Sequence, residues 1–309
     1  MKSLITGVDG FIGKWLSKYL LNKGDIVIGI SKNRKDNPKD GIVRYYGNIL
    51  NCDGIRSIIK KSKPDRIFHL AAQSNIPRSF TYPQETIENN VNGTLNLLEA
   101  VKIERKKAIF LSVGSSAEYG QSAQSNRRLS EDSLLLPTSP YAVSKVAQGQ
   151  LCSIYRKAYN LKIVHIRPFA IIGPGKKGDA VSDFARGIVD IETGKSKYLL
   201  VGNIAHARDF LDVRDAVAAM DLITRKKTED SIYNLCTGIE TKLENILENM
   251  INMVKSKIII KRDPNKARPS DDPIIVGNPG RLNSLGFKSQ CPIDKALSDV
   301  LEYWRNNFQ

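Results

Sequence analysis

The stretch "TGVDGFIG" at residues 6–13 lies between the apolar run "SLIT" and the helical pattern "GFIGKWLSKYLLNKG". Gly7, Gly10 and Gly13 permit a tight turn at a strand end and a close approach of backbone N–H groups to a pyrophosphate at a helix N-terminus. A glycine triplet alone says little. In the first strand–turn–helix of a chain, however, it is where a dinucleotide-binding fold needs it.

The rest of the first half keeps the same rhythm. Phe11, Ile12, Trp15, Leu16, Tyr19 and Leu20 line one helical face, and Gly24 ends that helix. Strands are expected at "DIVIGI", "IVRYY", "RIFHLAA", "AIFLSV" and "KIVHIRP". Helices are expected at "DGIRSIIKKS", "NNVNGTLNLLEAV" and "SPYAVSKVAQGQLCSIYRKAY". This alternation predicts an α/β chain, a doubly wound parallel sheet of Rossmann type. After Arg167 the loops "GPGKKGDAVSD" and "RDPNKARPSDDP" break the pattern, with strands at "KYLLVG" and "KIIIK". The expected division is a cofactor unit over 1–166, with returns near 207–238, and a smaller interleaved C-terminal unit over 167–309 that mainly holds substrate.

With 309 residues the chain can bury a full core. No run reaches the ~18 apolar residues of a membrane span, and "MKSLITGVDG" lacks a signal-peptide core, so a cytoplasmic protein is expected. Cys52, Cys152, Cys236 and Cys291 are scattered, which argues for free thiols and against a zinc site. The formal charge of +15 raises a nucleic-acid reading. Yet the lysines in "KKSK", "ERKK", "GKKG", "TRKK" and "KSK" are dispersed and mixed with acids, as on a solvated surface, without interleaved aromatics.

Two features carry chemistry. The second strand runs into "SKNRK", with no acid at its tip to take a ribose 2′-hydroxyl. Ser31, Lys32 and Arg34 suit a 2′-phosphate, so NADP(H) is favoured over NAD(H). In "SPYAVSK", Ser139 caps a helix with Pro140 in its first turn, and Tyr141 and Lys145 share one face. A lysine beside a phenol is expected to lower the tyrosine pKa from about 10, making it a proton-exchanging group beside a nicotinamide. Tyr19 and Lys23 show the same spacing on a core helix and are read as structural. Ser115, leaving the strand "AIFLSV" at the sheet's carboxyl edge, can bond the same reacting oxygen.

The glycine loop, "HLAAQS", "GSSAEYG" and "YAVSK", in this order, resemble the extended short-chain dehydrogenase/reductase family, whose members modify nucleotide-linked sugars. The resemblance spans essentially the whole chain. Within it, "VGN", "RDFLDVRD" and "RPS" look most like GDP-4-keto-6-deoxy-mannose reductases and GDP-mannose 4,6-dehydratases. It implies a catalytic set of Ser115, Tyr141 and Lys145. Cofactor contacts are implied from Gly7, Gly10, Phe11, Ile12, Gly13, Asn48, Ile49, Leu70, Ala71, Ala72, Tyr141 and Lys145. Substrate contacts are implied from Ser116, Arg208 and Arg268, the arginines facing a diphosphate. A homodimer through the helices at "NNVNGTLNLLEAV" and "SPYAVSKVAQGQLCSIY" is also implied, with no membrane or nucleic-acid partner and no metal. Ala170 stands where relatives usually carry asparagine, and Asn48 where an aspartate often lies near the adenine.

The expected reaction is NADPH-dependent reduction of the C4 ketone of a GDP-linked 4-keto-6-deoxy sugar. A 4-epimerase and a 4,6-dehydratase are the alternatives, and a non-catalytic module is disfavoured by the intact Ser–Tyr–Lys set. Dehydratases of this family carry an acid/base carboxylate two residues after the catalytic hydroxyl, where this chain has Ala117. The adjacent Glu118 points the other way along an extended strand and substitutes only if the strand has turned into a loop. A separate dehydratase is therefore expected upstream.

Overall fold

The computed structural model describes residues 1–32, 40–125, 128–226, 230–264 and 274–307. Seven parallel strands form the main sheet: β1 (Lys2–Thr6), β2 (Ile26–Ser31), β3 (Val43–Tyr46), β4 (Arg66–His69), β5 (Ile109–Val113), β6 (Lys162–Pro168) and, much later in the chain, Ile232–Leu235. Their spatial order is Ile232–Leu235, β6, β5, β4, β1, β2, β3. The winding direction reverses beside β1, so the crevice at its carboxyl end is the ligand position such sheets share.

Alternation along the strands assigns side chains to two buried faces. Ile5, Val27, Phe68, Leu111 and Ile166 pack under the helices Phe11–Asn22 and Val213–Arg225. Leu4, Ile28, Ile67, Phe110 and Ile163 pack under Cys52–Ser62, Gly93–Glu104 and Pro140–Tyr159. Covered on both sides, the strands read as apolar runs, as the sequence suggested. The register sets Thr6 beside Ile30 and His69, His69 beside Ser112, and Val113 beside Ile166, so the carboxyl ends form one edge.

Local chemistry sets the helix ends. The Ser139 hydroxyl accepts from the Ala142 N–H at 3.1 Å, Pro140 occupies the first turn, and Asn160 closes the helix in the left-handed region. One expected helix is not regular. The chain winds as a π turn over Glu88–Asn92 before continuing as Gly93–Glu104. Asn90, fully buried at this turn, donates to Gln73 O at 3.0 Å and to Ser144 Oγ at 2.9 Å, and accepts from the Gln73 N–H.

Beyond β6 the chain leaves the sheet. Ala170–Ile172 and Phe210–Asp212 form a parallel pair, and Leu199–Val201 pairs with Ile260–Arg262. The helices Ala180–Glu192, Leu243–Asn252 and Ile293–Asn306 bury Phe184, Ile188, Leu247, Met250 and Leu297 in a separate core. Between these elements the chain returns twice, as helix Val213–Arg225 and as strand Ile232–Leu235. At the opposite edge of the main sheet, buried Arg66 bridges Asp25 at 2.5 Å and Asp221 at 2.6 Å, linking β4 to helix Val213–Arg225. Among the described residues no helix is long and apolar enough to cross a membrane.

Candidate active site

β5 ends at Val113, and Gly114 leads into a single 3-10 turn, Ser116–Glu118. Ser115 caps it: its hydroxyl accepts from the Ala117 N–H at 3.1 Å, and Glu118 Oε1 accepts from the Ser115 N–H at 2.9 Å. The strand has thus turned by Glu118, the condition under which that carboxylate was a candidate acid/base. Its position rules against the role. Glu118 is fully buried, with Oε1 also 3.0 Å from His165 Nε2 and Oε2 accepting from Arg167 Nε at 2.9 Å. Burial alone would raise its pKa, but His165 and then Arg167 outweigh that and hold the carboxyl below its usual range. Ala117, in contrast, lines the cleft described below.

Helix Pro140–Tyr159 carries Tyr141 and Lys145, both nearly buried. Burial pushes the Tyr141 phenol up to about 12, offset only in part by its hydrogen bond with Ser115. The expectation that Lys145 lowers this pKa is not met in this geometry. The Lys145 ammonium lies 5.9 Å from the phenol ring centroid and donates to Val113 O at 2.8 Å and Gln148 Oε1 at 2.9 Å. Burial also brings Lys145 down to about 8, with Glu118 opposing the shift. At neutral pH the phenol is therefore protonated, the state of a proton donor. The other Tyr–Lys pair, with Lys23 Nζ 5.6 Å from the Tyr19 ring centroid, lies at the C-terminal end of helix Phe11–Asn22.

The glycine loop fits a bound dinucleotide. Gly7 has φ +70°, and a Cβ on Gly13 would lie 2.3 Å from Gly7 O and 2.7 Å from Val8 O. No side chain caps the N-terminus of helix Phe11–Asn22, and no acid stands in its first turn, so its N–H groups are available to an anion. Phe11 and Ile12 begin that helix. Leu70, Ala71 and Ala72 follow β4 beside the loop, where the Ala71 N–H donates to Thr6 Oγ1 at 3.1 Å. Ile49 is buried against Gly93, and Asn48 Oδ1 accepts from the Leu50 N–H at 3.1 Å.

At the tip of β2 the geometry departs from expectation. Ser31 is buried and its hydroxyl donates to Asp9, a residue of the glycine loop, so it is not open to a phosphate. Lys32 is exposed, while Arg34 lies outside the described residues. Arg44, on the neighbouring β3, stands 3.7 Å from Asp9 and is gripped by both oxygens of Asp40 at 2.6 Å. The sequence reading missed Asp9 and Arg44, because only the β1–β2–β3 pairing brings them to the strand tip.

A cleft of about 620 Å³ opens between the sheet's carboxyl edge and the C-terminal elements. Ser115, Ser116 and Ala117 line one side, and Ala170, Lys176 and Arg208 line others. Arg208 Nη1 donates to Ala207 O at 2.8 Å, and Lys176 pairs with Asp179 at 2.8 Å. Arg268 lies outside the described residues. Lys176 was missed as a cation of the cleft, although "GPGKKGD" had marked its loop.

A parallel sheet with a phosphate-binding turn at its switch point and a Ser–Tyr–Lys set at the same edge defines a nicotinamide-dependent oxidoreductase of the extended short-chain type. The chain belongs to the family described as GDP-mannose 4,6 dehydratase, which it matches over residues 4–300. It is 30% identical over 305 residues to the GDP-6-deoxy-D-mannose reductase of Pseudomonas aeruginosa, covering 98% of this chain and 96% of that one. It is 29% identical over 330 residues to the UDP-glucose 4-epimerase of Mycolicibacterium smegmatis, covering all of both chains. A solved structure described as RMD from Pseudomonas aeruginosa complexed with NADPH superposes with a TM-score of 0.85 at 29% identity, covering 99% of each chain.

Proposed function

We propose that this protein reduces the C4 ketone of a GDP-linked 4-keto-6-deoxy sugar with NADPH. The observation that carries this reading is the pairing of Tyr141, a protonated phenol bonded to Ser115, with a methyl group rather than a carboxylate at Ala117 beside it, the cleft's carboxylates Asp179 and Asp183 belonging to the start of helix Ala180–Glu192. The similarity to the Pseudomonas reductase supports the substrate class. Bound on the glycine loop, NADPH supplies the hydride for C4. The hydride's electron pair forms the new C–H bond at C4, the C=O π pair withdraws onto oxygen, and Tyr141 gives that oxygen its proton, leaving a hydroxyl and a phenolate. Ser115 holds that oxygen, and Lys145 positions the ribose and balances the phenolate left behind. A phenol near 12 is still a far stronger acid than the sugar alcohol it forms, so the transfer runs downhill.

Residues 1–166 are assigned mainly to the cofactor and 167–309 mainly to the sugar nucleotide, with Ser116, Lys176 and Arg208 on its diphosphate side. Lys32 and Arg34 are assigned to the 2′-phosphate. A cytoplasmic homodimer fits this reading: Val143 and Ile154, three turns apart on one helix face, remain 46% and 54% exposed. Sedimentation showing only monomer at micromolar concentration would remove the dimer from the proposal.

The test mixes the protein with NADPH or NADH and a panel of 4-keto-6-deoxy nucleotide sugars, following loss of reduced cofactor. Turnover of the GDP-linked ketone with preference for NADPH is expected. A parallel reaction with GDP-mannose and NADP⁺ should give no 4-keto-6-deoxy product, because a methyl at position 117 neither abstracts the C5 proton nor protonates the leaving hydroxyl. Product in that second reaction would make the protein a dehydratase and require the substrate to be formed here rather than by a dehydratase upstream.

A further inference from the structure

Behind the catalytic set runs a buried chain of hydrogen bonds that the mechanism above does not use. Lys145 Nζ donates to Gln148 Oε1 at 2.9 Å, and Gln148 Nε2 donates to Ser112 Oγ at 2.8 Å. Ser112 Oγ lies 3.1 Å from His165 Nδ1, and His165 Nε2 lies 3.0 Å from Glu118 Oε1. The two ends of the chain have fixed directions, for the Lys145 ammonium only donates. An ionised Glu118 only accepts, so Nε2 carries the imidazole proton. Ser112 Oγ, beside Nδ1, accepts from the Gln148 amide and also bonds Cys152. An ammonium cation thus stands at one end of the chain and a carboxylate at the other, and both charges act on the bonds between them.

The backbone is shaped around this chain. A Cβ on Gly114 would lie 2.1 Å from Glu118 Oε1 and 2.4 Å from His165 Nε2, and one on Gly149 would lie 3.0 Å from His165 Nε2. Two glycines, one leaving β5 and one on the long helix, thus leave room for the imidazole. The far end of the chain closes on the catalytic turn, since Glu118 Oε1 also accepts from the Ser115 N–H.

We propose that Gln148, Ser112, His165 and Glu118 form a positioning relay that couples the Lys145 ammonium to the turn bearing Ser115, so that Gln148 sets both the place and the protonation of Lys145. The relay rests on the reading of Lys145 and Ser115 as active-site groups, but its own test is independent of turnover. The charged and titratable groups near Lys145 are Tyr141 and Cys152 from its own helix, Glu118 from the turn and His69 from β4, with His165 of β6 bonded to Glu118. None of these but the relay touches its ammonium by a side-chain hydrogen bond among the described residues; the other contact is the Val113 carbonyl.

Two near-isosteric variants separate the relay from simple packing. Gln148→Met removes the acceptor that favours the charged amine, and Gln148→Glu adds a carboxylate beside it. The readout is the pH titration of Lys145 in the cofactor-free protein, followed by the shift of its labelled ε-carbon and assigned with Lys145→Met. The Met variant should titrate about one pH unit or more below the native protein, and the Glu variant about one unit or more above it. In the keto-sugar assay the alkaline limb of the rate profile should move in the same two directions. Unchanged Lys145 titration in both folded variants overturns the relay, whatever the enzyme turns over. Titrations that shift as stated in a protein inactive on every keto sugar uphold the relay and refute the proposed substrate instead. Should Gln148→Glu fail to fold, the Met variant alone decides by the sign of its shift.

Discussion

Replacing Gly13 by alanine is the sharpest probe of the phosphate turn. The new Cβ would lie 2.3 Å from Gly7 O, 2.7 Å from Val8 O and 2.8 Å from Val8 C, where ordinary contact begins at 3.4 Å. All three are backbone atoms, so no side chain can rotate away, and loop and helix must part by about 1 Å. An N–H···O bond near 2.9 Å stretched by that amount is no longer a bond. Losing one charge-assisted bond costs about 1.5–3 kcal/mol, which corresponds to roughly 10- to 150-fold weaker NADPH binding. Fluorescence titration with NADPH measures this, and thermal unfolding without cofactor measures the accompanying loss of stability. Gly24→Ala is the control. Its φ of +80° strains an alanine, but nothing lies within 4 Å of the added methyl, and it sits at the far end of the same helix. That variant should lose stability and keep its NADPH affinity. A Gly13→Ala protein that binds NADPH within twofold of the native affinity would refute the placement of the pyrophosphate on this turn.

Tyr141→Phe should lower turnover about a hundredfold or more while leaving NADPH affinity nearly unchanged; native turnover would show that another group supplies the proton. Arg208→Ala should weaken sugar-nucleotide binding by about 1.5–3 kcal/mol with little effect on NADPH, checked by calorimetry with each ligand in turn, and equal losses for both would move the diphosphate elsewhere. Glu118 is held below the ordinary carboxylate pKa of about 4.3, so its stabilisation is complete above that value and is lost as pH falls through the folded-state pKa. Glu118→Gln should therefore flatten the acid limb of melting temperature against pH, and curves that stay parallel as pH falls from about 5 to well below about 4 would contradict the ion pairing.

What was legible in the sequence was what local spacing encodes. Gly7, Gly10 and Gly13, the Ser139 cap and the one-turn separation of Tyr141 and Lys145 each declare themselves within a few residues. The protonation of that pair did not. Lys145 is committed to Val113 and Gln148, a contact that depends on how the helix lies across β5. His165 read as one more residue of the apolar strand "KIVHIRP". Its bond to Glu118 spans 47 positions and exists only because the β5–β6 register sets Ser112 beside it. In sequence Ser31 reads as an open hydroxyl because Asp9 is distant, although adjacent parallel strands bring their tips together. The π turn at Glu88–Asn92 carries no periodicity that distinguishes it from helix.

The route of the chain between the two cores bears on how such a protein can be cut or recombined. β6 is flanked by β5 on one side and, on the other, by Ile232–Leu235, a strand reached only after helix Ala180–Glu192 and the strands that follow it. Leu211, Val217 and Met220, from the same late stretch, fill the core beneath Phe11–Asn22. A fragment ending near residue 166 would bare one edge of its sheet and open a hole under its first helix. The stretch 1–166 is accordingly not a detachable module. Exchanging substrate preference between relatives by a single crossover at that point would yield an incomplete sheet, whereas grafts confined to the segments between the returns would leave it whole.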